Sequence, residues 1–360
     1  MAGLVHKIRS IIKYALWTSI GSIARTRKQI TLPINFSSAL SVLVIRPDRL
    51  GDVVLSTPVY ASIKESSPHL RVSVLVSHSN APILTNNPNV DEIISFDSKN
   101  LGAIIKKIRR KRFDVVFTLN KKFSSTASLL ALISKAKYRV GYAHNETSWL
   151  YDLRLPTNSL TRHESLNNLE LLNYAGMKKT VTPPCLYFSV DEEKKVDAML
   201  NTLRKHHERP LILIKPGARI AKWGWSLQKF RIVAEKLTKS KKAEVFFIFG
   251  PGEESLIDSI IKQKNVPIDR LPILPIKEVA LVIKKSALLF CNHTGIMHLA
   301  SAVETPVVAI FKHGETERWG PINTQHILLE ERNSDILSPE IALDKINQLL
   351  TNTQSHKTIQ

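Results

Sequence analysis

The sequence predicts an α/β protein made of two Rossmann-like, doubly wound domains. A chain of 360 residues exceeds one ordinary hydrophobic core and suits two domains. Short apolar runs alternate with segments of helical spacing, which is typical of a parallel sheet with helices on both faces. The alternation stops near TVTPP (180–184), a credible linker, and then restarts. Length, alternation and restart together define the predicted architecture.

The elements follow in order along the chain. Strands of the first half are predicted at SVLVIR (41–46), RVSVLVS (71–77), DEIISF (91–96) and DVVFTL (114–119), with helices over 57–66 and 99–112. Strands of the second half are predicted at PLILIKPG (210–217), AEVFFIFGPG (243–252), SALLFCN (286–292) and TPVVAIF (305–311). The predicted boundaries are an extension over 1–40, domains over 41–180 and 181–351, and a frayed polar tail over 352–360.

The first 40 residues contain no acidic residue. Their apolar side chains recur at helical spacing, and the basic ones fall largely off that stripe. This pattern is typical of a basic amphipathic helix on an anionic membrane, with Trp17 as an interfacial residue. Two other interpretations stay open: a helix packed on the protein's own surface, and a targeting sequence.

Composition excludes several classes of protein. The formal net charge of +20 predicts an anionic partner, which is nucleic acid, an acidic membrane surface or a phosphorylated substrate. Cys185 and Cys291 are the only cysteines, so a disulfide framework and a zinc site are not expected. No apolar run reaches the roughly 18 residues of a transmembrane helix. Walker A, G-x-G-x-x-G, G-x-S-x-G and D-x-D patterns are absent from the sequence.

Ligands of parallel α/β sheets bind at the carboxyl ends of the strands, so the loops there are the candidate sites. In NHTGIMH, Asn292, His293 and Thr294 follow a strand, and a helix is predicted to begin near Gly295. Unpaired N–H groups at that helix start suit a phosphate. His298 lies one turn after Thr294 and is a candidate hydrogen-bond donor to a phosphate oxygen. Helix capping and core packing explain the same residues equally well.

Two further loops of the second half carry charge. KPGARIAKW supplies Lys215, Arg219 and Lys222 around a glycine, which suits a diphosphate, although a solvated basic loop has the same composition. FGPGEES supplies Glu253 and Glu254, which suit ribose hydroxyls, although acids are also common at helix starts.

The first half offers a candidate base in RPDRLGDVV. Asp52 follows a glycine at the first turn of a predicted helix, where the helix dipole favours the ionised carboxylate. An ionised carboxylate facing an interdomain cleft is suited to take a proton from an attacking hydroxyl. An ordinary helix-start acid is the competing interpretation. Asp48 has no such role and is expected to be a solvated loop carboxylate.

These loops, in this order, resemble glycosyltransferase family 9, the heptosyltransferases of lipopolysaccharide core assembly. The resemblance covers roughly 41–350. The matching segments are IRPDRLGDVVLSTPV, RHESLNNLELLNYAG, KPGARIAKWGWSLQKF, FGPGEES, NHTGIMHLASAVETPVVAIF and ERWGP. The resemblance implies the GT-B fold, with two Rossmann-like domains facing across a cleft. It also implies inverting, metal-independent and cofactor-free transfer of a sugar, usually heptose from ADP-heptose, to a lipid-linked acceptor.

The resemblance also implies residue roles. Asp52 resembles the general base, Lys222 the cation on the donor phosphate, and Glu253 or Glu254 the ribose or adenosine contact, with Glu253 favoured. The diphosphate cradle is expected from Asn292, His293, Thr294, Gly295 and His298. Arg46 and Arg49 are candidates for an anionic acceptor. The chain departs from the family where His293 replaces an aspartate and Lys215 replaces a histidine, and these departures bear on the donor.

The predicted function is therefore a glycosyltransferase acting on a lipid-linked acceptor such as lipopolysaccharide core. Its expected partners are an ADP-sugar, an anionic acceptor and an anionic membrane surface, on the inner face of the cytoplasmic membrane. The alternatives are a nucleotide-sugar epimerase and a non-catalytic nucleotide-sugar-binding protein. Nucleic acid is not an expected partner, because the basic patches lack interleaved aromatic residues.

Overall fold

The computed structural model describes residues 16–21, 34–145, 149–157, 162–261, 268–312, 314–331 and 336–357. The chain forms two compact units. The first unit comprises Met1–Asp48 and Ser56–Thr182, and the second comprises Arg49–Leu55 and Pro183–Gln360. The short segment Arg49–Leu55 thus belongs with the second unit, although it follows the first strand of the first. Within the described ranges, no helix combines the length and the apolar character needed to cross a membrane.

The first unit contains a six-stranded, wholly parallel sheet. Its strands are β1 (Ser41–Arg46), β2 (Arg71–Ser77), β3 (Glu92–Phe96), β4 (Val115–Thr118), β5 (Tyr138–Tyr142) and β6 (Leu153–Leu155). Residues 16–21 are helical (α1), and the other helices of this unit are α3 (Thr57–Ser66), α4 (Leu101–Lys111), α5 (Ser125–Ile133) and α6 (Glu164–Tyr174).

The second unit contains a second six-stranded parallel sheet. Its strands are β7 (Leu211–Lys215), β8 (Glu244–Phe247), β9 (Asp269–Arg270), β10 (Leu288–Asn292), β11 (Val307–Phe311) and β12 (His326–Glu330). Its helices are α2 (Leu50–Val54), α7 (Val190–Leu203), α8 (Leu227–Lys239), α9 (Glu254–Ile261), α10 (Ile276–Lys284), α11 (Gly295–Ala302), α12 (Thr316–Trp319) and α13 (Pro339–Lys357).

The two sheets have the same topology. The strand order is β3-β2-β1-β4-β5-β6 in the first and, written in the same sense, β9-β8-β7-β10-β11-β12 in the second. In both, the order reverses beside the first strand, between β1 and β4 and between β7 and β10. Ligands of such sheets bind outside the carboxyl ends of the strands at this reversal, called the switch point. The fold therefore offers one candidate crevice in each unit.

Burial explains why these runs form central strands. Every residue of β7, β10 and β11 is buried, as expected for strands covered on both faces. In the second unit, β10 packs Phe290 against Phe230 of α8, with ring centroids 4.8 Å apart. In the first unit, Leu43 and Ile45 of β1 belong to the core that also holds Ile104 and Ile108 of α4.

The fold class predicted from sequence, two doubly wound α/β domains, is confirmed. The helix predicted over 57–66 is α3, with Pro58 in its first turn, and the helix start predicted at Asp52 belongs to a separate short helix, α2. Helix α13 continues as far as Lys357, and the fraying predicted over 352–360 stays a prediction. Strands β5, β6, β9 and β12 were not predicted.

The described part of the N-terminal extension packs on the protein. Trp17 is only 3 % exposed and lies against Phe123 and Trp149, with ring centroids 5.9 and 6.1 Å away. The expectation that Trp17 is an interfacial membrane residue is therefore wrong for this conformation, because its indole is enclosed by aromatic side chains of the first unit. The remaining residues assigned to the amphipathic stripe and the targeting pattern, 1–15 and 22–33, lie outside the described residues.

Candidate active site

The switch point of the second unit is bordered by Lys215 at the end of β7 and Asn292 at the end of β10. The two strands are neighbours, with Lys215 in register with Cys291. Both Lys215 and Asn292 are buried. Burying an amine and an amide at the edge of a crevice is costly unless each finds polar partners. Their partners define the base of the candidate site.

Asn292 fixes the loop that carries the predicted phosphate cations. Its side chain is 0 % exposed, its Oδ1 accepts from the backbone N–H of Trp225 at 2.9 Å, and its Nδ2 donates to the carbonyl of Pro216 at 2.7 Å. One side chain thus bridges both ends of the loop 216–225. The amide is engaged within the protein, so Asn292 fits a positioning role better than the direct donor contact expected from the sequence.

The loop is anchored in the core and exposed at its tip. Trp225 is buried against Phe230 and Phe290, and its indole N–H donates to the carbonyl of Leu337 at 3.3 Å. Lys222 lies in a single 3₁₀ turn, Ala221–Trp223, and its side chain is exposed. A flexible cation on a well-anchored loop is suited to an anionic ligand that approaches from solvent.

Lys215 is paired with Glu253. Its Nζ lies 2.8 Å from both carboxylate oxygens of Glu253, and Oε2 also accepts from the backbone N–H of Gly250 at 2.7 Å. A Cβ on Gly217 would lie 2.0 Å from Glu253 Oε1, so a larger residue there would displace the ends of this pair. Glu253, the predicted ribose contact, is thus held in one orientation, and its side chain remains 28 % exposed. Glu254 begins α9 and is half-buried.

The predicted anion cradle lies at the start of α11. Thr294 is its N-cap in extended backbone geometry, without the side-chain capping bond usual for threonine. Thr294 Oγ1 is buried and has no hydrogen-bond partner among the residues that the structure describes. The hydroxyl and the helix-start N–H groups therefore suit one oxyanion together.

Helix α2 packs directly on α11 within the second unit. A Cβ on Gly51 would lie 2.5 Å from His298 Cδ2, and one on Gly295 would lie 3.1 Å from Gly51 N. Two glycines therefore allow the helices to touch. Asp52, next to Gly51 and half-buried in the first turn of α2, is carried in the same unit as Thr294. His298 is only 3 % exposed, which fits packing between α2 and α11 better than the predicted phosphate contact.

An aromatic cluster lies beside the cradle, and the sequence analysis assigned it no role. The His293 ring stacks on Phe311 at 4.2 Å, and the Trp319 ring lies 6.4 Å from His293 and 6.3 Å from His298. Trp319 Nε1 donates to Glu315 at 3.2 Å. The only sequence signal for Trp319 was its place in the segment ERWGP. His293, at the position of the family aspartate, is thus held by stacking.

Burial also sets the chemistry of Cys291, because it raises the pKa of the thiol to about 12. The thiol is therefore neutral and unreactive near neutral pH. Within the described ranges, no group of three or more His, Cys, Asp and Glu side chains is arranged to hold a metal ion.

The first switch point differs. Arg46, at the end of β1, is 2 % exposed, and its guanidinium donates to the carbonyl of Leu119 just after β4. It also lies 3.7 Å from Asp48 and 3.9 Å from Glu164. The predicted contact of Arg46 with an acceptor does not fit this geometry, because protein groups already enclose the guanidinium. Asp48 is not the solvated carboxylate expected, since it also accepts from Asn120. Arg49 is exposed at the start of α2.

The structure therefore carries all predicted donor-site residues and Asp52 on the second unit. Comparison with known proteins adds the family. The model of glycosyltransferase family 9 (heptosyltransferase) matches residues 101–341. The lipopolysaccharide core heptosyltransferase OpsX of Haemophilus influenzae is 24 % identical over 302 residues, which cover 81 % of this chain and 84 % of that protein.

Solved structures share the fold. The family 9 glycosyltransferase of Veillonella parvula aligns with a TM-score of 0.81 at 19 % identity, over 90 % of this chain and 100 % of that one. ADP-heptose lipopolysaccharide heptosyltransferase II of Escherichia coli aligns with a TM-score of 0.75 at 20 % identity, over 87 % and 99 %. At these identities the likeness concerns the fold, which is the GT-B arrangement of two parallel-sheet α/β domains.

Proposed function

Because the chain belongs to glycosyltransferase family 9 and is a glycosyltransferase, we propose that it transfers heptose from ADP-heptose to a lipid-linked acceptor such as lipopolysaccharide core. The lipopolysaccharide heptosyltransferases among its relatives support the acceptor, and the E. coli relative supports the donor. A lipid-linked acceptor also supports action at the inner face of the cytoplasmic membrane.

The observation that carries the proposal is the close packing of α2 on α11. It holds Asp52 in the same compact unit as Thr294, beside the helix start that suits a diphosphate. A base and a leaving-group site fixed on touching helices are what an in-line displacement needs. The remaining donor contacts that we propose are Lys222 on phosphate and Glu253 on ribose.

In the proposed reaction, Asp52 removes the proton of the acceptor hydroxyl as its oxygen attacks the anomeric carbon. The new glycosidic bond forms while the bond from that carbon to the diphosphate breaks, and its electron pair leaves with ADP. Lys222, Thr294 Oγ1 and the N–H groups of α11 stabilise the charge that develops on the diphosphate. Attack opposite the leaving group inverts the anomeric centre. Cationic and N–H groups at the diphosphate support a metal-independent reaction.

The test is turnover of ADP-heptose with a purified acceptor, followed by ADP release and the mass and anomeric configuration of the product. Asp52→Asn should lower kcat by about 10²–10⁴-fold and leave ADP affinity within about twofold. Near-wild-type turnover in that variant would remove Asp52 from the mechanism. Conversion of the sugar nucleotide without acceptor would favour the epimerase instead, and binding without any conversion would favour a non-catalytic protein.

A further inference from the structure

The amino edge of the first sheet, where its strands begin, is strongly basic. Six exposed cations lie at this edge, at the ends of the helices that lead into β4 and β5 and at the first residue of β2. We call them the basic edge: Arg71, Arg109, Arg110, Arg112, Lys135 and Lys137. They belong to no catalytic element, because ligands of this fold bind at the opposite, carboxyl edge.

The basic edge is one continuous surface. Its strands are neighbours in the order β2-β1-β4-β5, so at a spacing of roughly 4.8 Å they span about 14 Å. Backbone hydrogen bonds join the strand starts: Arg71 N–H to Leu40, Asp114 N–H to Ser41, and Lys137 N–H to Phe113. Cations that are distant in sequence are thereby fixed on a rigid support.

Most carboxylates near this edge are already engaged. Asp114 accepts from the backbone N–H groups of Leu40 and Ser41 at 2.9 and 3.0 Å. Asp91 pairs with Lys64 at 2.7 Å. Glu92 pairs with two further lysines of α4, and these bonds hold its pKa below the usual range although partial burial acts to raise it.

One acidic residue near the edge, Glu65 at the end of α3, remains exposed. Among the residues that the structure describes in this unit, the edge thus presents six exposed cations against one exposed carboxylate.

The charge is concentrated in this unit as a whole. The first unit contains 25 Lys and Arg against 10 Asp and Glu, a formal net charge of +15. The second contains 26 against 21, a formal net charge of +5. Because the predicted nucleotide site lies in the less charged unit, nucleotide binding does not account for the excess.

Two cations also occupy unusual backbone positions. Arg112 and Lys135 follow α4 and α5 with φ of 49° and 50°. Glycine or asparagine is preferred in this left-handed conformation, which costs a side-chain-bearing residue about 1 kcal/mol. Cations near helix C-termini are favoured by the helix dipole, which offsets part of that cost. The second unit repeats this local structure at Lys241, with φ of 55°, and so provides a matched control.

We propose that the basic edge docks on the anionic phospholipid headgroups of a bilayer. This inference rests on the proposed lipid-linked acceptor, and it assigns a membrane surface other than residues 1–30. Leu40, 72 % exposed among the cations, suits insertion between headgroups. Nucleic acid would need exposed rings for stacking, but the aromatic side chains of these strand starts, Phe113 and Tyr138, are buried.

The test is flotation of the full chain with vesicles of 30 % phosphatidylglycerol in phosphatidylcholine, and with phosphatidylcholine alone. The edge variant is Arg109→Gln/Arg110→Gln/Arg112→Gln. The matched control, Lys239→Gln/Lys241→Gln/Lys242→Gln, removes three exposed cations from a helix end of the second unit that has the same left-handed cation. We expect the edge variant to lose on the order of 100-fold in anionic vesicle binding, and the control to stay within about threefold of wild type.

Several results would overturn the proposal: equal losses in both variants, no loss in the edge variant, or loss only when residues 1–14 are deleted. Tight binding of single-stranded DNA that the edge variant loses, without vesicle binding, would do the same. Melting curves show whether both variants are folded. Turnover on an acceptor stripped of its lipid tests the proposed function separately. The edge variant should keep it, and its absence in wild type would refute the function whatever the vesicles show.

Discussion

The two switch points have the same topology and a buried cation at the end of the same strand, yet they differ in what surrounds that cation. Arg46 in the first unit meets a backbone carbonyl, Asp48 and Glu164. Lys215 in the second unit meets one carboxylate, Glu253, beside a loop that holds the exposed Lys222. The first crevice encloses its cation with groups of its own chain, whereas the second also presents the exposed Lys222 to a ligand. Topology locates candidate sites, and side-chain pairing distinguishes them.

The largest expected effect concerns the first switch point. Arg46→Met removes the cation between the buried Glu164 and the partly buried Asp48, and leaving a buried charge unpaired costs about 3–5 kcal/mol. We expect a loss of that size in the free energy of unfolding, measured with urea. ADP affinity, measured by calorimetry on folded protein, should change less than twofold. A large loss of affinity with unchanged stability would show that Arg46 serves a ligand instead.

The contact between α2 and α11 is tested next. Gly51→Ala adds a Cβ that must displace His298 or move α2, and a shift of about 1 Å in a catalytic group can cost about 100-fold in rate. We expect kcat to fall by that amount. Gly102→Ala is the matched control, because a Cβ there meets no atom within 4 Å and α4 is unaffected. Full activity of the Gly51 variant would contradict the role of this packing.

A smaller effect is expected for Asn292, whose side chain holds both ends of the loop that carries Lys222. Asn292→Ala leaves the Trp225 N–H and the Pro216 carbonyl without their partner, which costs about 1–3 kcal/mol. Without this anchor the loop is less ordered in the free protein, and ADP binding must order it again. A cost of about 1.4 kcal/mol for that ordering lowers ADP affinity about tenfold. Calorimetry and urea unfolding measure both quantities. A stability loss with unchanged ADP affinity would show that Asn292 stabilises the fold and does not position the loop for ADP.

The smallest signal is the reactivity of Cys291, which lies beside Lys215. With a pKa of about 12, its thiolate fraction at pH 8 is on the order of 10⁻⁴, so iodoacetamide should label it only after unfolding. Cys185, half-buried, is the internal control. Because burial raises the folded pKa, this thiol favours the folded state below its unfolded pKa near 9, and the contribution declines as pH rises toward 12. Fast labelling of Cys291 in the folded protein would show that the second switch point is accessible to the reagent.

Local pattern was sufficient for much of the fold. The bounds of β1, β2 and α3 and the first residue of α11 coincide with the predictions, because each combines a clear apolar period with a turn or capping signal. Strand β5, YRVGY, was missed because its glycine and arginine interrupt the apolar run. Strand β6 has three residues, too few to show a period.

Long-range pairing explains what sequence could not provide about the sites. Arg46 and Lys222 both lie in basic, glycine-containing segments, and nothing local separates them. Arg46 is buried because Leu119, 73 residues away, supplies a carbonyl. The Lys215–Glu253 pair joins two loops 38 residues apart. Predicting these pairs requires the strand order, which the sequence pattern left undetermined.

Hydrogen exchange on the full chain, with and without ADP-heptose, tests the contrast between the switch points most directly. We expect added protection in Pro216–Trp225 and Asn292–His298, because both segments line the second switch point. Exchange at Arg46–Asp48 and Leu119–Asn120 should be unchanged. Protection confined to the first switch point, or an unchanged second one at saturating donor, would contradict the account.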